Sequence, residues 1–166
     1  AGWVQWSVPM CLDFTETPFG DVKEFSFWAK NAPSNTDAVV PAYLCAGLGI
    51  ETITINNNIS AIGANAFKGC ENLKVVTWDA VMCADFDVAP FENLEEITFN
   101  ATWVEKIPSR LCEGAAISSV EIPIKVASIG DDAFANCVNL KEVVWSAEKC
   151  NDFTATPFPL LDTISF

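Results

Sequence analysis

Three stretches of this chain align with one another without a gap, and that self-similarity limits the fold more than any other feature. They are Trp6-Ser-Val-Pro-Met-Cys11-Leu-Asp13-Phe14, Trp78-Asp-Ala-Val-Met-Cys83-Ala-Asp85-Phe86 and Trp145-Ser-Ala-Glu-Lys-Cys150-Asn-Asp152-Phe153. Each runs on to a Pro-Phe pair (Pro18-Phe19, Pro90-Phe91, Pro157-Phe158) and closes on Phe27, Phe99 or Phe166. The offset from Trp78 to Trp145 also relates Pro41-Ala-Tyr-Leu44-Cys45 to Pro108-Ser-Arg-Leu111-Cys112. The first and second copies stand slightly farther apart, because segment 28–40 is longer than its counterpart 100–107.

A finer period lies inside the long one. An apolar residue, two others, an apolar residue, one other and a third apolar residue recur at Val22/Phe25/Phe27, Ile50/Ile53/Ile55, Leu73/Val76/Trp78, Leu94/Ile97/Phe99, Ile117/Val120/Ile122, Leu140/Val143/Trp145 and Leu161/Ile164/Phe166. Ala1/Val4/Trp6 is a weaker first copy. The last two apolar positions alternate with polar ones, which places them on one side of a short strand. A strand of four or five residues cannot bury that side alone. Stacking successive coils sets each strand beside the next in a parallel sheet, and the return path supplies the crossover that parallel pairing needs.

The return path carries signals of its own. Pro41 and Pro108 fit a first helical turn, where a missing N–H costs nothing, and Gly47 and Gly114 follow where a left-handed cap is wanted. The expected fold is therefore α/β: a right-handed β/α superhelix with one parallel sheet of about eight short strands and short helical turns on the opposite side. At about 4.8 Å per coil it extends on the order of 35–40 Å. Residues 1–166 read as a single domain, expected to belong to a longer polypeptide.

Ile62-Gly63-x-x-Ala66-Phe67-x-Gly69-Cys70-x-Asn72-Leu73-Lys74-x-Val76 returns as Ile129-Gly130-x-x-Ala133-Phe134-x-x-Cys137-x-Asn139-Leu140-Lys141-x-Val143. These two segments resemble the BspA-like leucine-rich repeats of bacterial surface proteins, and weaker versions extend the resemblance over nearly the whole chain. The resemblance implies a surface-exposed or secreted, bacterial, non-enzymatic scaffold acting in adhesion or protein recognition. It carries no active site to transfer.

Composition narrows the partners. Nine Lys and Arg stand against 22 Asp and Glu, a formal charge of -13, so phosphate backbones and anionic lipid are repelled and nucleic acid is not an expected partner. No stretch is apolar for long enough to insert in a membrane as a helix. The sequence has no His, and no two of its seven Cys form a CxxC pair, so neither a zinc site nor a Ser-His or Cys-His nucleophile is indicated and no cofactor is called for. The cysteines instead share repeat positions (Cys11/Cys83/Cys150, Cys45/Cys112, Cys70/Cys137), as small apolar fillers of a recurring interior slot do; a disulfide between coils is the alternative. Asp13, Asp85 and Asp152 recur before Phe, a pattern that suits turn or capping roles better than calcium binding.

Recognition is expected on the outward strand residues, which form two rows across the sheet. One comprises Glu24, Thr52, Val75, Glu96, Ser119, Glu142 and Thr163; the other comprises Ser26, Thr54, Thr77, Thr98, Glu121, Val144 and Ser165. Segment 28–40, rich in Asn, Pro, Ser and Asp, is expected to be a surface loop that joins the sheet in recognition; Trp28 at its mouth and Trp103 fall outside the apolar register and join the candidate face, whereas Trp6, Trp78 and Trp145 close strands at inward positions. The partner is expected to be a protein or glycan ligand, host-derived in one reading, and end-to-end self-association would cover the apolar ends of the solenoid. A structural spacer and a carboxylate-dependent hydrolase are the competing functions.

Overall fold

The computed structural model describes residues 3–6, 22–27, 38–151, 153, 155–161 and 163–166. Each repeat of the fine pattern forms a strand: β1 (Trp3–Trp6) and β2 (Glu24–Phe27) come first, then β3 (Ala38–Val40) on the return side, followed by β4 (Thr52–Ile55). The series continues with β5 (Ile59–Ile62), β6 (Val75–Trp78), β7 (Glu96–Phe99), β8 (Lys106–Ile107), β9 (Ser119–Ile122), β10 (Ser128–Ile129), β11 (Glu142–Trp145) and β12 (Thr163–Ser165). Every pairing is parallel, and the repeat positions meet in register: Phe25 beside Ile53, Ile53 beside Val76, and Val76 beside Ile97. The same position carries Val120 beside Val143 and Val143 beside Ile164.

The molecule is a parallel-strand β-solenoid, with two departures from expectation. The single sheet of about eight strands is replaced by a five-stranded sheet, β1-β2-β4-β6-β7, and a three-stranded sheet, β9-β11-β12. The second departure concerns helices: the described residues contain none, and where short helical turns were expected for the α/β class they have tight turns and short return-side strands. On the return side β3 pairs with β5 and β8 with β10, and tight turns connect them to the main sheets. Residues 38–40 therefore belong to a strand, with Ala38 and Val40 buried, and not to the surface loop expected over 28–40; its residues 28–37 lie outside the described set.

Left-handed residues explain why helices do not form. Tyr43, Asn65, Arg110 and Asp132 have φ of 58–59°, and one turn later Gly47, Gly69, Gly114 and Asn136 have φ of 58–73°. A right-handed helix cannot pass through such a residue, so each segment closes after a single i-to-i+3 turn. Leu44 N–H donates to the Pro41 carbonyl, Ala46 to Tyr43 and Leu48 to Cys45, and the pattern recurs at Pro108, Arg110 and Cys112. Gly47 and Gly114 do adopt the left-handed conformation expected of them, but after a turn.

The turns also stack. Cys45 and Gly47 donate N–H groups to the Ala66 and Lys68 carbonyls at 2.9 and 2.8 Å, and in the next copy of the long repeat Cys112 and Gly114 reach Ala133 and Ala135, each at 2.8 Å. Neighbouring coils approach so closely at Gly63 and Gly130 that a methyl there would stand 2.8 Å from Ala42 Cα and 2.7 Å from Ser109 Cα, respectively. This is the reason for glycine in the Ile-Gly motif. The inward residues form one continuous core, in which Ile50, Ile55, Trp78, Leu94, Ile117 and Val143 are fully buried. Its repetition extends to ring packing: Phe67 lies against Phe91 at 5.3 Å and Phe134 against Phe158 at 4.9 Å.

Thiols fill the recurring slot. Cys45, Cys70, Cys83, Cys112 and Cys137 are buried and free, and Cys150 is free and half-buried. Cys70 Sγ donates to the Cys45 carbonyl at 2.9 Å and Cys137 Sγ to the Cys112 carbonyl at 3.0 Å, so the thiols tie coil to coil without cross-linking them. Cys11 lies outside the described residues.

Candidate functional site

The outward rows form as the alternation requires. Glu24, Thr52, Val75 and Glu96 stand side by side, as do Ser26, Thr54, Thr77 and Thr98. On the second sheet Ser119, Glu142 and Thr163 continue one row and Glu121, Val144 and Ser165 the other. Thr54, Val75 and Thr77 are half-buried by their neighbours, while Glu24, Thr52, Glu96, Thr98, Ser119, Glu121, Glu142 and Val144 are exposed. Trp103 is 43% exposed on the turn after β7, away from the strand register, and Trp28 lies outside the described residues.

No Lys or Arg occurs in either row. Lys23, Lys74 and Lys141 immediately precede row residues of the sheet, and the first two pair with Glu51 at 3.1 Å and Glu95 at 2.6 Å. Both pairs are exposed and contribute at most about 1 kcal/mol each. Glu24, Glu96, Glu121 and Glu142 thus give the face a negative sign with no cation of its own rows to balance it. Among the described residues no group of three or more acid or thiol side chains is placed to hold a metal ion.

Between β7 and β9 the face is split by a slot of about 330 Å³, lined by Glu95, Glu96, Thr98, Ser118, Ser119 and Glu121 among others. A proline stands at one end of it. At the position after each strand the N–H reaches back to the preceding strand: Asp79 donates to Ile55 at 2.8 Å, Asn100 to Trp78 at 3.0 Å and Ser146 to Ile122 at 2.9 Å. The corresponding residue after β9 is Pro123, which has no N–H to offer Phe99. The entry to β9 is displaced as well. Glu51, Glu95 and Lys141 donate to their counterparts one coil earlier, but here Ala116 donates to Leu94 at 2.7 Å in place of a Ser118–Glu95 bond. Both ends of the rung pattern are lost, and the two sheet edges part.

Glu96, Thr98, Ser119 and Glu121, named from the sequence as parts of a flat face, are thereby brought together around an opening. Glu24 and Thr52 lie on the other side of the five-stranded sheet and take no part in it. Glu95, Ser118 and above all Pro123 were not singled out by the strand pattern. The signal was a proline at a position that elsewhere requires a donor, readable only once the coils are set in register.

The sequence pattern of stacked Ile-Gly turns and Asn-Leu entries with the leucine buried is matched by the family model for the BspA-type leucine-rich repeat region, in six copies, over residues 39–141 and 85–156. The chain belongs to the BspA-type leucine-rich-repeat family. Among solved structures, a leucine-rich cell surface protein from Faecalibacterium prausnitzii A2-165 is 18% identical to this BspA-type chain, with a TM-score of 0.35. That alignment covers 87% of this chain and 48% of the other, so the BspA-type chain spans about half of that protein's length. No curated protein matches it.

Proposed function

We propose that this BspA-type domain is a non-enzymatic binding scaffold, displayed at the cell surface or secreted, and that it recognises a protein partner through the sheet face. The slot between β7 and β9 carries the reading. Glu96 and Glu121, with three hydroxyl side chains and the Lys74-paired Glu95, line the opening, and a lysine or arginine of a partner meets there both acceptors and opposite charge. Family membership supports display at the surface and a role in recognition. Such an interface has a rapid, salt-sensitive on-rate, because the rows steer a basic partner before it docks.

Panning a random peptide library against the immobilised domain tests this reading. Enriched peptides are expected to contain Lys or Arg, to weaken as salt rises from 50 to 300 mM, and to lose at least tenfold in affinity for the Glu96→Lys/Glu121→Lys variant. Enrichment that ignores charge, or affinity unchanged by the reversal, removes the face; a domain that enriches nothing is a spacer presenting its neighbours. Turnover of a glycan abolished by one carboxylate substitution would instead establish a hydrolase.

A further inference from the structure

The coils are of unequal length, and the short ones leave gaps on the side away from the main sheets. The coil from Trp78 to Phe99 is shorter than those ending on Trp78 and Ile122. It omits the paired turns found at 41–47, 63–69, 108–114 and 130–136, and its segment 85–90 runs without them. The result is a notch of about 490 Å³ between that segment and the 63–69 turn, within the size range of small-ligand sites. Phe67, Phe86 and Pro90 line it together with Asn65, Lys68 and Asp87.

The notch recurs in the next copy of the long repeat. Gly130, Asp132, Phe153, Thr156 and Pro157 line a second, smaller opening of about 190 Å³. In both, the phenylalanine of the Asp-Phe motif is held edge-on by the tryptophan that closes the preceding strand: Phe86 against Trp78 at 6.4 Å and 72°, Phe153 against Trp145 at 6.1 Å and 84°. Each notch therefore offers a fixed aromatic ring. Phe86 is half-buried, and Phe153 is 40% exposed.

Charge distinguishes these notches from the sheet face. Asp85 accepts the Ser109 N–H at 2.8 Å and pairs with Lys106 at 2.9 Å, and Asp132 pairs with Arg110 at 3.0 Å. Partial burial raises the Asp85 pKa, but the Ser109 hydrogen bond and the Lys106 ammonium outweigh it and hold the carboxyl below its usual range. Lys68, Asp87 and Glu92 also line the first rim, and Asp131 the second. An aromatic ring bordered by carboxylates, an amide and a hydroxyl suits a polyhydroxylated ring: its C–H face packs on the phenylalanine, and its hydroxyls donate to the rim carboxylates.

We propose that the two notches are carbohydrate-binding subsites, anchored on Phe86 and Phe153, that accept a neutral glycan running along the solenoid axis. They are three coils apart, about 14 Å. One monosaccharide fills a single notch, whereas an extended oligosaccharide reaches both and gains the avidity of a linked pair. The test is a titration of the ¹⁵N-labelled chain with glucose and N-acetylglucosamine, and with cellotetraose, maltotetraose and chitotetraose. Amides at 64–68, 86–89 and 153–156 are expected to shift with at least one tetrasaccharide, at least tenfold more tightly than with its monosaccharide. Phe86→Ala is expected to abolish the shifts at 86–89. Asp87→Arg, at an exposed rim position that leaves the Phe86–Trp78 packing intact, is expected to weaken binding several-fold without altering the spectrum of the free domain. Glu96→Lys/Glu121→Lys should leave sugar binding unchanged, which separates this site from the sheet face. No shift at either notch with any of the five sugars at 10 mM overturns the proposal, as do shifts at 86–89 that survive both Phe86→Ala and Asp87→Arg.

Discussion

Replacing Gly63 with alanine tests how tightly the coils stack. Its N–H donates to the Val40 carbonyl at 2.7 Å, and the new methyl would stand 2.8 Å from Ala42 Cα and 2.9 Å from the Pro41 carbonyl carbon. Both neighbours are backbone, so no rotamer change relieves the overlap. Carbon atoms rest about 3.5–4.0 Å apart, and the two coils must therefore separate by close to an ångström. Overpacking of that kind costs about 1–3 kcal/mol. Stretching the Gly63–Val40 bond and its neighbour from Cys45 to Ala66 costs about 1 kcal/mol each. The stiffer unfolded chain returns about 0.4–1 kcal/mol, leaving a loss of about 2–4 kcal/mol.

Gly47→Ala is the control. Its φ is +73° and nothing lies within 4 Å of the added carbon, so the cost is only the left-handed strain of about 1–2 kcal/mol, partly offset by the same stiffening. Urea unfolding followed by tryptophan fluorescence should rank Gly63→Ala at least about 1 kcal/mol below Gly47→Ala, with Gly130→Ala falling beside Gly63→Ala. Equal stability of the Gly63 and Gly47 variants would refute close approach as the reason for the Ile-Gly motif.

Restoring a donor with Pro123→Asn, the residue found at the equivalent Asn100, should add the missing rung to Phe99, raise stability by about 1 kcal/mol and protect that amide from hydrogen exchange; an unprotected amide there means the slot has another cause. Burial pushes Cys70 and Cys137 up to about 11 and Cys83 to about 12, from an ordinary value of 9.0. Below pH 9 both states keep these protons, whereas above it only the unfolded chain releases them, so stability should fall between pH 9 and 11 by about 1.4 kcal/mol per pH unit for each thiol. Cys83→Ala should flatten that slope by one thiol's share, and an unchanged slope in urea melts across the range would contradict the assignment.

The strands were legible because each carries its own alternation: Ile53 and Ile55, Val76 and Trp78, and Val120 and Ile122 point inward whatever joins them. The return side was not, since Tyr43 and Arg110 are not residues whose type announces a left-handed backbone. They hold it through partners that only stacking supplies, Tyr43 OH accepting from Asn65 Nδ2 at 3.0 Å and Arg110 pairing with Asp132. β8 and β10 are two residues long, too short to show any period. Val40 read as the end of a loop because its counterpart Ile107 gave no strand signal either. On the face, sequence identified the row residues but not the split, because Pro123 breaks a hydrogen bond whose other half lies a full coil away at Phe99. Asp85 is used in a structural role, capping the turn at Ser109, as its position before Phe suggested.

Two long coils and a short one make up each copy of the long repeat, and this triplet behaves as a unit of growth. Joining position 45 directly to position 113, with 46–112 removed, leaves each exposed layer against a neighbour of the kind it already fits, with left-handed turns, thiols and Ile-Gly contacts still aligned. Removing a single coil sets a notch-bearing layer where a turn-bearing one belongs, and the stacking bonds lose their acceptors. Chains built on this plan therefore lengthen and shorten by recombination in whole triplets, each one adding about 14 Å to the reach of the protein.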